Sequence, residues 1–131
     1  MANEAICIET PSTFARYTVA EATAIPRFTL LKLSGDNTAI ASSAVDVFAG
    51  IAWEEFKGGE GLTEITAALD GIWDLTNAPG GTITLGTAVC LSGANLIKTA
   101  AANSSEAGTY IGKALEAAAG GEVIRVRLGA I

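Results

Sequence analysis

Histidine is absent from this chain, cysteine occurs twice, and only eight of its 131 residues are lysine or arginine. Each scarcity removes a class of function. Without histidine there is no ordinary general base at neutral pH and no imidazole metal ligand. Cys7 and Cys90 then have no histidine partner for a thiolate mechanism, and two thiolates are too few to hold a structural zinc. Two thiols far apart in sequence could pair, but their number fits a reducing compartment equally well. Basic residues are scattered and the formal net charge is −6, so the clustered cations that phosphate binding needs are missing. No apolar run is long enough for a membrane helix, and the first residues lack the basic and apolar blocks of a secretory signal. The reading is a protein made in a cytoplasm, with no nucleic acid, membrane or cofactor among its expected partners.

What is present is a β pattern. Half of the residues are hydrophobic and 17% are charged, which argues against disorder over most of the length. Much of the hydrophobic share is alanine, so the core must come from Ile, Leu, Val, Phe and the two tryptophans. The most informative stretch closes the chain. Val123, Ile124, Val126 and Leu128 interleave with Glu122, Arg125 and Arg127, which suits a strand with one buried and one wet face. Tyr110, Ile111, Ala114 and Leu115 precede them, and Gly120-Gly121 supplies a tight reversal, so residues 108–128 read as a hairpin.

Upstream, strands are expected at 14–19, 27–33, 38–40, 48–53, 62–69, 72–76, 82–85, 87–91 and 95–98. Turn residues punctuate them, among them Ser34-Gly35-Asp36-Asn37 and Asn77-Ala78-Pro79-Gly80-Gly81. Residues 100–106 read as a loop, with a helical turn as the alternative. Short strands at this spacing predict an all-β sandwich or barrel with little helix. No fixed-period repeat stands out. Residues 1–13, interrupted by Pro11 and Ser12, read as an N-terminal arm, and 14–131 as one β-rich domain. An extended arm with its own apolar side chains is either a free tail or a strand added to a neighbour's sheet edge.

Candidate sites are few. Glu54, Glu55 and Glu60 share one glycine-rich loop, and Asp70 and Asp74 flank Trp73; paired carboxylates could serve a hydrolase, with tryptophan stacking on sugar. A solvated loop and a strand-edge turn explain them better. Asp36-Asn37 and Glu54-Glu55 lack the ligand spacing of a calcium loop. Gly58-Gly59-Glu60-Gly61 and Gly80-Gly81 lack the lysine and the strand-to-helix context of a phosphate loop.

Several motifs in order resemble the tailed-phage capsid decoration, or capsid cement, family. They are Ile25-Pro26-Arg27-Phe28-Thr29-Leu30-Leu31-Lys32-Leu33, Phe48-Ala49-Gly50-Ile51-Ala52, Gly71-Ile72-Trp73-Asp74-Leu75 and Gly80-Gly81-Thr82-Ile83-Thr84-Leu85-Gly86-Thr87-Ala88-Val89. The segments 111–119 and 123–128 complete the set. The chain departs from the family pattern at Cys90-Leu91 and in the bulk of Trp53 and Trp73. The resemblance implies a small β-tulip-like domain, a homotrimer on the outer capsid surface of a virion, bound to the major capsid protein and tying capsomers together against internal pressure. It makes Ile6, Ile8, Phe14 and Tyr17 candidate capsid contacts, and Arg125 and Arg127 candidate contacts between subunits. The competing reading is a carbohydrate- or cell-surface-binding sandwich with Trp53 and Trp73 lining its site, which requires both rings to face solvent.

Overall fold

The computed structural model describes residues 3–20, 23–44, 47–59, 61–100 and 110–129. Eleven strands and no helix occur among them: β1 (Ile6–Glu9), β2 (Phe14–Thr18), β3 (Leu30–Gly35), β4 (Thr38–Ala41), β5 (Phe48–Ala52), β6 (Glu64–Ala68), β7 (Ile72–Asn77), β8 (Ala88–Gly93), β9 (Leu96–Thr99), β10 (Tyr110–Ala114) and β11 (Val123–Leu128). They close two small barrels, which removes most of the edge that an open sheet would expose. The first runs β2-β4-β3-β5-β6 and the second β7-β9-β8-β10-β11, with β1 added to β7.

The two barrels are copies of one plan. In each, the first strand lies parallel to the third and antiparallel to the fifth, and the second and third form a hairpin. One constant step separates equivalent strand starts: Phe14 and Ile72, Leu30 and Ala88, Thr38 and Leu96. The isolated bridge Ile25↔Phe56 has its twin in Ile83↔Ala118. Even the turn bonds correspond, the Thr29 hydroxyl donating to the Pro26 carbonyl at 2.7 Å and the Thr87 hydroxyl to the Thr84 carbonyl at 2.8 Å. The sequence reading found no repeat because later spacings differ, and the shared letters are few. Ser34-Gly35-x-Asn37 recurs as Ser92-Gly93-x-Asn95, and Gly50-x-Ala52-x-Glu54 as Gly112-x-Ala114-x-Glu116.

Those letters are held by geometry. Asn37 and Asn95 occupy the left-handed region (φ 50° and 58°), which asparagine tolerates in a tight hairpin. Gly50 and Gly112 lie where the fourth strand crowds the fifth: a Cβ at Gly50 would come within 2.9 Å of the Ala68 carbonyl oxygen, and one at Gly112 would collide with the Arg127 carbonyl.

Period-two burial on β7 and β11 puts Trp73, Leu75, Ile124, Val126 and Leu128 inside, as alternation requires. The first barrel encloses Val19, Ile25, Leu31, Phe56 and Ile65. Leu30, Ile51 and Ala68 point the other way and join the core of the second barrel, so one apolar cluster fastens the two. Buried polar groups add a latch: Asn95 accepts the Leu30 N–H through Oδ1 at 2.8 Å, and the Ser42 hydroxyl donates to the Gly93 carbonyl at 2.9 Å. Both groups are satisfied, as burial demands.

The closing hairpin forms as expected, with Gly112↔Leu128 and Ala114↔Val126 paired. Its first strand ends at Ala114, and Leu115 N–H still donates to the Arg125 carbonyl of β11. Residues 82–85 are not a strand. Only Ile83 bridges there, to Ala118. The loop expected at 101–106 and Glu60 lie outside the described residues.

Candidate functional site

β1 is the arm of the sequence reading, and it lies on the second barrel of its own chain. It runs antiparallel to β7, with Ile6 opposite Asp74 and Cys7 opposite Trp73, and an irregularity between Cys7 and Glu9. Cys7 faces the core, while Ile6 (57%) and Ile8 (38%) stand out into solvent. Cys7 and Cys90 are not joined in a disulfide.

The passage from β1 to β2 is fastened by one carboxylate. Asp70 accepts the Ser12 N–H (2.8 Å) and the Thr13 N–H (3.0 Å) through Oδ1, and the Ser12 hydroxyl (2.8 Å) through Oδ2. These bonds, led by that from the Thr13 N–H and then that from the Ser12 hydroxyl, favour the ionised form and hold the Asp70 carboxyl below its usual range. A folded-state pKa below the unfolded value makes this stabilisation fully present above about pH 4 and lost as pH falls through the folded pKa. Asp70→Asn should therefore lower the thermal midpoint near neutrality and flatten its fall between about pH 4 and pH 2. Thermal melts across that range check it; parallel curves for the two proteins would refute the assignment.

Beside this linker an aromatic group spans the junction of the barrels. Trp53 lies 5.5 Å from Phe14, 5.8 Å from Phe28 and 6.2 Å from Trp73, and Phe28 lies 5.2 Å from Trp73 edge-on. The Arg27 guanidinium covers Phe28 at 4.4 Å and Trp53 at 5.5 Å, and its Nε donates to the Trp53 carbonyl at 3.2 Å. Phe28 has a left-handed backbone (φ 67°), the conformation its twin Gly86 takes without a side-chain clash (φ 82°). A bulky residue there stores strain. Nothing in the sequence pattern marked Arg27 or Phe28 as members of this group.

Phe14 is 42% exposed at the edge of the aromatic group. Tyr17 is half-buried against the core of the first barrel, its hydroxyl donating to the Ala49 carbonyl at 2.7 Å, and burial pushes its phenol pKa up. Arg125 pairs within the chain: its Nε is 3.1 Å from Asp74 Oδ1, and that hydrogen bond, with the charge of Asp74, raises its pKa. Arg127 is exposed and lines an open cleft of about 500 Å³ with Glu9, Asp70, Ile72 and Leu115.

Among the described residues the candidate carboxylates have structural partners. Asp70 holds the linker, Asp74 holds Arg125, and Glu54 accepts the Thr66 N–H at 3.2 Å. The two-ring sugar platform is not formed. Trp73 is fully buried, with its indole N–H on the Asp70 carbonyl at 3.0 Å, and Trp53 is half-buried. What the surface offers is apolar side chains on short strands next to a rigid aromatic junction, an arrangement suited to contact with another protein.

A family model described as phage cement protein matches residues 11–128. No curated protein matches the chain. Among solved structures, the chain is similar to the head fiber gp8.5 N base of bacteriophage phi29, with a TM-score of 0.50 and 17% identity over 89% of this chain and 95% of that one. At that identity the likeness is one of fold.

Proposed function

Because the chain belongs to the phage cement protein family, a family of virion structural proteins, we propose that it attaches to the outer face of the capsid as a homotrimer. There it ties neighbouring capsomers together and resists the pressure of the packaged genome. The observation that carries the reading is the extent of the family match, which spans both barrels. The surface is consistent with it. Ile6 and Ile8 project from β1, whose backbone is held by pairing with β7, so that backbone loses little conformational freedom on docking. The formal net charge of −6 favours a solvent-facing position over one against nucleic acid. Each copy needs only a modest affinity, since attachment at many sites on one shell multiplies. Arg127, exposed on β11, is the candidate for contact between subunits; Arg125 is already paired with Asp74.

Shells assembled from the major capsid protein of the same phage provide the test. The purified protein should co-sediment with them saturably and raise the temperature at which they rupture. Ile6→Gln with Ile8→Gln, which adds no charge opposite Asp74, should weaken binding by about tenfold or more, since two apolar side chains lose their burial, and should leave the protein's own melting unchanged. A failure of the unaltered protein to bind, or shells no more heat-resistant when coated, would overturn the proposal.

A further inference from the structure

The internal repeat exposes a strand position filled in one barrel and open in the other. On β7, one edge is taken by β11 along its length. The opposite edge is shared: β9 pairs with Thr76 and Asn77, and β1 covers Ile72 to Asp74. On the twin strand β2, β6 takes one edge from Phe14 to Thr18, and β4 meets the other only at Thr18↔Thr38. Phe14, Ala15 and Arg16 are the twins of Ile72, Trp73 and Asp74. Among the described residues no strand lies where β1 lies on the second barrel.

The backbone there is set for a partner. Leu69 N–H donates to the Thr13 carbonyl on the β6 side, and Thr18 N–H donates to the Asn37 carbonyl on the other. Alternation along an antiparallel strand then turns the N–H and C=O of Phe14 and Arg16 toward the open side, and those of Ala15 and Tyr17 toward β6. Both Phe14 and Arg16 are exposed. The half-exposed Phe14 ring, backed by Trp53 at 5.5 Å, forms an apolar seat beside the slot.

We propose that the open half-edge of β2 at Phe14 to Arg16 is an acceptor for a short extended segment of the capsid subunit, added antiparallel as β1 is added to β7. The occupant's identity rests on the capsid-attachment reading above; the slot itself does not. A second copy is the poorer donor. Its own β1 is already paired with β7, and its linker is pinned by Asp70. The accepted segment is about four residues long, the length of β1, with an apolar side chain set against Phe14.

Amide hydrogen exchange, with and without shells of the major capsid protein, tests this. In the protein alone, Phe14 and Arg16 amides should exchange fast while those of Ala15 and Tyr17 are slow. On shells, Phe14 and Arg16 should slow by at least about tenfold. Arg16→Pro removes an outward donor and leaves the backbone ladder to β6 intact, but it also gives up the Arg16 side-chain contacts to Thr66 (3.0 Å) and Glu64 (3.5 Å). Arg16→Ala, which loses those contacts and keeps the amide, is therefore the reference. Against it, binding of the proline variant should fall by about tenfold. Binding by the unaltered protein with no change at these two amides would overturn the slot and leave capsid attachment standing. Absence of binding altogether would instead remove attachment. Protection that rises with protein concentration and without shells would name a second copy as occupant and overturn the proposal. If Arg16→Pro does not fold, the exchange of the unaltered protein decides alone.

Discussion

Trp73→Ala should lower unfolding free energy by about 3–5 kcal/mol, the range for truncating a large buried aromatic. The indole is fully buried in the cluster that joins the two barrels, and it meets Phe28 at 5.2 Å and Trp53 at 6.2 Å. Three losses combine: the transfer free energy of the ring, the cavity left among strands that cannot collapse, and the Asp70 carbonyl left without the indole donor it has at 3.0 Å. That carbonyl belongs to the residue whose carboxylate pins the linker, so the loss reaches β1 as well. A small domain has about 5–15 kcal/mol in hand, and the variant should be partly unfolded at growth temperature. Urea titration followed by circular dichroism measures the change. A cost below about 1 kcal/mol would mean that the junction repacks and that Trp73 is not its centre.

Gly112→Ala should be at least as damaging, for a different reason. The added methyl meets the backbone of Arg127 and not a side chain that could swing away. β11 cannot retreat, because its other edge is bonded to β7 from Val123 to Arg127. Relief would require breaking the β10–β11 ladder, so the variant should be insoluble or lose more than about 3 kcal/mol. Gly80→Ala is the control. Gly80 has a positive φ (88°) with no neighbour within 4 Å of the added Cβ, so only the left-handed penalty of about 1–2 kcal/mol applies. Equal melting temperatures for the two variants would refute the steric account. At Gly50, the twin of Gly112, a Cβ would come within 2.9 Å of the Ala67 methyl and the Ala68 carbonyl at a positive φ (141°), so Gly50→Ala should also destabilise.

Much of the fold was legible in the residues. Alternation gave the buried and wet faces of β11, and Ser34-Gly35-Asp36-Asn37 gave the first hairpin turn, because these are local properties of the chain. The candidate surface was less legible. Ile6, Ile8 and Phe14 could be named as apolar residues near the start, but their exposure depends on where β1 and β2 settle. Tyr17 has the same kind of sequence setting and proved to be tied to Ala49. Trp53 and Trp73 each sit in an apolar run bounded by acidic residues, yet one is half-buried at the junction and the other is its core.

By itself, then, the sequence determined an all-β chain, its main turns and its resemblance to cement proteins. Only the tertiary structure decided that there are two barrels on one plan, that the arm is a strand on β7, that Arg125 belongs to Asp74 and that, among the described residues, no strand covers β2 at Phe14 to Arg16. The physical reason is the range of the interactions involved. Strand alternation and turn propensity act over a few neighbouring residues. Strand pairing, barrel closure and burial join positions as distant as Ser12 and Asp70, or Asp74 and Arg125, whose encounter no local pattern records.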